Sequence, residues 1–220
     1  MVCQQMKRPI FITGIGTEIG KTVVSAIVTE ALEAHYWKPV QAGFETGTDA
    51  QRVQQLVTNS TTIIYPELYC LEMPASPHIA ARAEQVTIDI DCIKEKAHQF
   101  LSESADRNLV IEGAGGLLVP LNEQQSIADL ILSLNARVIL VSRNYLGSIN
   151  HSRLTAAYCK QVGIDVIGWI FNDQYLDYAD EIVTWSDLPS LGSIPYLSEI
   201  NPTFIHQQAA NIRNTLYRYL

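Results

Sequence analysis

The stretch FITGIGTEIGKTVVSA, Phe11 to Ala26, gathers residue types that can hold an anion. An apolar run enters a glycine-rich turn, the turn ends in Gly20-Lys21-Thr22, and an apolar helical pattern follows. Amides exposed by such a turn, with the positive end of a helix dipole behind them, cradle phosphate oxygens. Gly14 and Gly16 are expected to let the backbone turn. Lys21 would reach the terminal phosphates, and the Thr22 hydroxyl is placed to bind Mg2+. The spacing is unusual: five residues separate Gly14 from Gly20, one more than the common phosphate loop, and Gly14, Gly16 and Gly20 also miss the dinucleotide pattern by one. A dinucleotide fold has no use for the Lys-Thr pair and needs an acidic residue after the next strand, where Lys38 stands instead. A glycine turn followed by an incidental Lys-Thr would not require strand, turn, G-K-T and helix to occur together.

Three further residues could serve the same chemistry. In NLVIEGAGG an apolar strand stops at Glu112, and Gly113, Ala114, Gly115 and Gly116 then allow close backbone approach. A carboxylate there can hold Mg2+ opposite Thr22, or simply end a strand in solvent or in a structural ion pair. Asp49 precedes the helical AQRVQQLV; it is either that helix's cap or a second Mg2+ carboxylate, the latter only if its loop returns to the phosphate site. Lys38, between Trp37 and Pro39, is either a surface lysine or a second ammonium that offsets charge between an anionic nucleophile and a γ-phosphate.

The strands and helices that carry these groups follow from periodicity. Strands are expected at Ile10 to Thr13, Trp37 to Gln41, Leu109 to Glu112, Arg137 to Ser142, Val166 to Phe171 and Leu191 to Ile194. Helices are expected at Lys21 to Ala34, Ala50 to Val57, Asp91 to Ser102, Ile127 to Leu134, Ser152 to Val162 and Phe204 to Tyr217. The alternation predicts one α/β domain over 1–220, a P-loop nucleotide-binding fold with a mostly parallel central sheet and helices on both faces. Thr58 to Val86, with its prolines, is the least regular segment and a candidate for function. Ligands in such folds sit beyond the carboxyl ends of the strands.

Bulk properties exclude other classes. A net charge of −8 and a pI near 5.1 argue against a general nucleic-acid binder. Cys3, Cys70, Cys92 and Cys159 are scattered, with neither zinc spacing nor a disulfide framework. No apolar run approaches a membrane span, and Met1 to Pro9 lacks the apolar segment of a signal peptide, so a soluble cytoplasmic protein with no membrane partner is expected.

The segments GTEIGKT, YWKPVQAG, SPHIAA, IEGAGGLLVP, NYLGSINHSRLT, GWIFND and LGSIPYL, spanning Gly16 to Leu197, occur in the order seen in the dethiobiotin synthase family, which this chain resembles. The longer glycine spacing is also that family's habit. The resemblance implies an ATP- and Mg2+-dependent carboxylation and ring closure: 7,8-diaminopelargonate, CO2 and ATP, the co-substrate, give dethiobiotin, ADP and phosphate. A carbamate and a mixed carbamic-phosphoric anhydride would be the intermediates. It implies that Thr22, Asp49 and Glu112 hold Mg2+, and that Glu18, Ile19, Gly20, Lys21, Thr22 and Val23 wrap the phosphates. Gly113, Ala114 and Gly115 would complete that wall. Lys21, Lys38, Thr17 and Glu18 would act at the reacting groups. Asn172 and Asp173, by chemistry alone a turn after GWIF, would recognise adenine, with Pro195 and Tyr196 beside them.

For Gly147, Ser148, Ile149, Asn150 and His151 the residues alone suggest a turn with Asn150 capping a helix. The resemblance adds that their amides receive the substrate carboxylate across a homodimer interface. Two departures stand out: Gly16 where the family often has Asp, and Ala42, a substrate contact, where many relatives carry a hydroxyl. The other readings are a P-loop amide-forming ligase, which needs an ammonia source, usually an appended glutaminase domain that is not expected in 220 residues, and a partitioning-type nucleotide switch ATPase, whose early signature lysine is replaced by Gly16.

Overall fold

The computed structural model describes residues 7–173, 176 and 178–220. The elements are β1 (Ile10–Gly14), α1 (Lys21–Leu32), β2 (His35–Trp37), β3 (Val40–Ala42), α2 (Asp49–Leu56), β4 (Ile64–Tyr65), β5 (Tyr69–Leu71), α3 (Pro77–Ala83), α4 (Ile90–Glu103), β6 (Leu109–Glu112), α5 (Ile127–Ser133), β7 (Arg137–Arg143), α6 (Ser148–Val162), β8 (Asp165–Asn172), α7 (Ala179–Ser186), β9 (Ser190–Ile194) and α8 (Pro202–Tyr219). Seven strands form one sheet in the order β4-β2-β6-β1-β7-β8-β9, and every described pairing in it is parallel. It is the expected α/β fold.

Alternation along the strands explains why both faces are covered. In β1, Ile10 and Ile12 pack with α1, α2 and α8, whereas Phe11 packs with α4, α5 and α6 on the other face. Val138 and Leu140 of β7 follow Phe11, and Ile139 and Val141 follow Ile12. Each fully buried side chain of this kind contributes roughly 1.5–3 kcal/mol, so the central strands are held from two sides. Their carboxyl ends all emerge at one edge.

Several expectations need correction. The strand expected over Trp37 to Gln41 is two strands, because Pro39 has no N–H for the ladder and the chain breaks at Lys38-Pro39. β3 then pairs with β5 in a separate two-stranded sheet, and Pro39 O accepts from the amides of Leu68 and Tyr69. The segment Thr58 to Val86 contains β4, β5 and α3, with Pro77 at the start of α3, where a proline needs no amide partner. α6 begins at Ser148, not Ser152; Gly147, at φ 106°, occupies the N-cap, and Asn150 lies within the helix. The short α7 was not anticipated. Cys3 lies outside the described residues; Cys70, Cys92 and Cys159 are free thiols.

Candidate active site

The loop between β1 and α1 is shaped by residues other than those the glycine pattern suggests. A Cβ on Gly14 would lie 2.2 Å from Val141 O, so Gly14 allows β1 to approach β7, not the turn. Gly16 has nothing near its missing side chain and no left-handed backbone. The turn is made by Glu18 at φ 57° and Gly20 at φ 87°. A Cβ on Gly20 would fall 2.3 Å from Asn172 Nδ2, which donates to Ile19 O at 2.6 Å and ties the end of β8 to the loop. Lys21 begins α1, and its Nζ donates back to Gly16 O at 2.6 Å, inside the loop's concavity.

Around this loop the sequence-distant groups converge. Thr22 Oγ1 lies 2.9 Å from both Asp49 Oδ1 and Glu112 Oε1. Lys38 Nζ lies 2.5 Å from Asp49 Oδ2 and 3.2 Å from Glu112 Oε1. The loop carrying Asp49 therefore does return. Asp49 is not the cap of α2: Thr48 is, in a reciprocal capping box with Gln51, and this frees the Asp49 carboxylate for the site. Gln41 fixes its place by accepting from Asp49 N at 3.2 Å while donating to Gly43 O at 2.8 Å.

Burial makes these contacts count. Lys21, Lys38 and Glu112 are 7%, 5% and 1% exposed. Burial lowers the Lys21 ammonium to about 8, with Glu112 opposing the shift and Lys38 adding to it. Burial also works against charge on Lys38, but Glu112 and Asp49 outweigh it and raise its pKa above that of an ordinary lysine. At Asp49, burial is overcome by Lys38 and by its hydrogen bonds, so the carboxyl is held lower than usual. Two ammonium groups thus face two carboxylates, and their formal charges cancel. The lysines alone do not make this site cationic.

The donor set fits a hard divalent ion. A threonine hydroxyl has one proton, yet two carboxylate oxygens approach it at 2.9 Å, so only one contact can be a donated hydrogen bond. A cation among these oxygens removes that conflict. Two carboxylates and a hydroxyl are the kind of partial set that Mg2+ completes with water and phosphate oxygens. No cluster of three His, Cys, Asp or Glu suited to a metal occurs among the described residues, so a site completed by protein side chains of those types alone is not indicated.

Three clefts meet at this loop. One, of about 820 Å³, is lined by Lys21, Thr22, Lys38, Ala42, Asp49, Glu112, Ala114 and Gly115, together with Ser76 and Pro77. A second, of about 630 Å³, runs from Gly16 to Arg143, Asn144, Tyr145 and His151; Thr17 and Glu18 line both. The third is bounded by Ile19, Gly20, Val23, Asn172, Asp173, Pro195 and Tyr196.

An AAA domain family model matches residues 8–203. The chain is 51% identical over 167 residues to the ATP-dependent dethiobiotin synthetase BioD of Christiangramia forsetii, covering 76% of this chain and 77% of that protein. It is 49% identical to the enzyme of the same name from Cytophaga hutchinsonii, covering 79% and 81%. The chain belongs to the ATP-dependent dethiobiotin synthetase family. Among solved structures it is similar to the MinC:MinD cell division protein complex of Aquifex aeolicus, with a TM-score of 0.59, 13% identity and coverage of 96% and 95%. That likeness is one of fold.

Seen as a synthetase of this family, the chain brings most of the expected residues together and leaves some apart. Gly113 packs against Phe11, 2.8 Å from where its Cβ would be, and lines none of the three clefts. Of Gly147 to His151, His151 alone lines the second cleft, where its Nδ1 lies 2.7 Å from Tyr145 Oη. Ser148 is buried, and Ile149 packs against the core. Sequence reasoning missed Tyr36, Gln41, Arg143 and Tyr145. Tyr36 Oη donates to Glu112 Oε2 at 2.9 Å, and burial, then the Glu112 charge, push this phenol well above its usual range and keep it protonated. Locally Tyr36 reads as core, and its hydroxyl gains this partner only through the pairing of β2 with β6.

Proposed function

We propose that this synthetase joins 7,8-diaminopelargonate and CO2 into the cyclic urea of dethiobiotin at the expense of ATP, in biotin synthesis. The observation that carries the reading is the convergence of Lys21, Thr22, Lys38, Asp49 and Glu112 on one cleft. Family membership supplies the substrate class.

The reaction asks an anion to attack an anion. One amine, in its neutral form, adds to CO2 and loses a proton to give a carbamate; a carbamate oxygen attacks the γ-phosphorus and ADP departs. The second amine then attacks the carbamoyl carbon, expelling phosphate and closing the ring with loss of its proton. Thr17 and Glu18, shared by two clefts, stand where the diamine and the nucleotide meet. The loop amides and Lys21 hold phosphate oxygens; Lys38, kept charged by its carboxylate partners, serves as a fixed cation and not as a base. Thr22, Asp49 and Glu112 would hold Mg2+, which supplies the net positive charge that the four ionised side chains lack. Asn172 and Asp173, with Pro195 and Tyr196, form the wall for adenine. The second cleft takes the chain and carboxylate of the diamine beside Arg143 and His151.

The same reading makes the enzyme a cytoplasmic homodimer whose substrate site lies near the interface. In support, Leu146, which lines the second cleft, and Leu154 of α6 are 81% and 61% exposed, and no described helix is long and apolar enough to cross a membrane. The test is mass spectrometry of purified protein with ATP, Mg2+, diamine and carbon-13 bicarbonate. Labelled dethiobiotin, formed one for one with phosphate, is expected. Phosphate release that ignores the diamine, with no product, would assign the fold to a switch instead.

A further inference from the structure

We infer that Tyr36 is a positioning residue for the ion site: it fixes the rotation of the Glu112 carboxylate so that one oxygen faces Thr22. The inference rests on the proposal that Glu112 holds the divalent ion. In the parallel register of β2 and β6, Tyr36 pairs with Val110. Side chains alternate along a strand, so Tyr36, Val110 and Glu112 lie on the face that packs against α1, Glu112 standing two positions after Val110. A phenol reaches across that step, and its Oη meets Glu112 Oε2 at 2.9 Å.

The division of labour on the carboxylate is what points beyond packing. Oε1 takes both site-facing groups, Thr22 Oγ1 at 2.9 Å and Lys38 Nζ at 3.2 Å, whereas among the described residues the one hydrogen bond to Oε2 comes from Tyr36. Both Tyr36 and Glu112 are almost fully buried, at 0% and 1% exposure, so water cannot replace the phenol. A phenylalanine would fill nearly the same volume in the apolar cluster on this face of the sheet but would leave Oε2 a buried acceptor without its phenol donor. The carboxylate would then be driven to rotate Oε2 toward Lys38, taking Oε1 off its line to Thr22. Outer groups that orient metal-binding carboxylates commonly alter ion affinity in this way.

The test uses Mn2+ in place of Mg2+, with ADP present, its binding followed by electron paramagnetic resonance in the folded, full-length protein. Tyr36→Phe is expected to weaken Mn2+ binding about tenfold. Glu112→Gln is expected to weaken it too, and the double variant no more than Glu112→Gln alone, since Tyr36 acts through Glu112. Loss in Glu112→Gln with no loss in Tyr36→Phe, or losses that add, would overturn the inference and reduce Tyr36 to core packing. No loss in Glu112→Gln would instead overturn the ion assignment on which it rests. Should Tyr36→Phe fail to fold, a crystal of the wild-type protein with Mn2+ and ADP decides: Oε1 toward the ion with the phenol still on Oε2 is expected, and the reverse contradicts it.

Discussion

Lys21 and Lys38 differ in ways their shared residue type hides. Lys21, lowered to about 8, is half-charged near that pH, and a bound phosphate favours its charged form. ADP binding should therefore take up about half a proton near pH 8 and weaken as pH rises beyond it. Calorimetry in buffers of different ionisation enthalpy measures this; unchanged uptake in Lys21→Met would contradict it. For turnover, Lys21→Ala and Lys38→Ala are each expected to lose roughly a hundredfold or more. From sequence alone both variants would be expected to fold normally, but the structure changes that for Lys38. Removing a buried cation from between Asp49 and Glu112 leaves two facing carboxylates, a cost of about 3 kcal/mol or more. A thermal melt of Lys38→Ala should show a clear drop, and an unchanged midpoint would mean the carboxylates find another partner.

At the scale of elements, the loop between β1 and α1 separates glycines that matter from one that does not. Gly20→Ala would put an L residue at φ 87° and push on the Asn172 side chain, costing about 1–3 kcal/mol and displacing a residue of the proposed nucleotide wall with it. Gly16→Ala meets no neighbour and should stay within about 0.5 kcal/mol of the parent stability. Paired denaturation curves with ADP titrations check both, and equal losses at the two positions would contradict this account of the loop. The sequence shows Lys21-Thr22 and Glu112 well, since a buried parallel strand ending in a polar residue is a local signal. For Asp49 the residues alone left a helix cap and an ion ligand equally open, because its place depends on a loop path set by Gln41, Thr48 and the break at Pro39, none of which is periodic. Tyr36 escaped for the opposite reason: inside an apolar run it reads as core, and only the β2–β6 register gives its hydroxyl a purpose. Short elements fared similarly, β4 with two residues being too brief for alternation to show.

Across the whole molecule, the parallel sheet brings the ends of β1, β2, β6 and β8 to one edge, where chemistry is possible that no single element could perform. The exposed Leu146 at the second cleft and Leu154 on α6 lead to the expectation that sedimentation gives twice 24.5 kDa, and that Leu154→Asp shifts the protein toward monomer while weakening diamine binding. A monomeric parent with full activity would contradict it. On the proposed reading, two lysines balanced by two carboxylates surround the transferring phosphate and become cationic only with the divalent ion. A crystal structure with Mg2+, a non-hydrolysable ATP analogue and the diamine tests it most directly. Lys21 should leave Gly16 O for the terminal phosphates, with Lys38 between γ-phosphate and amine and the ion among Thr22, Asp49 and Glu112; a terminal phosphate remote from both lysines would contradict the account.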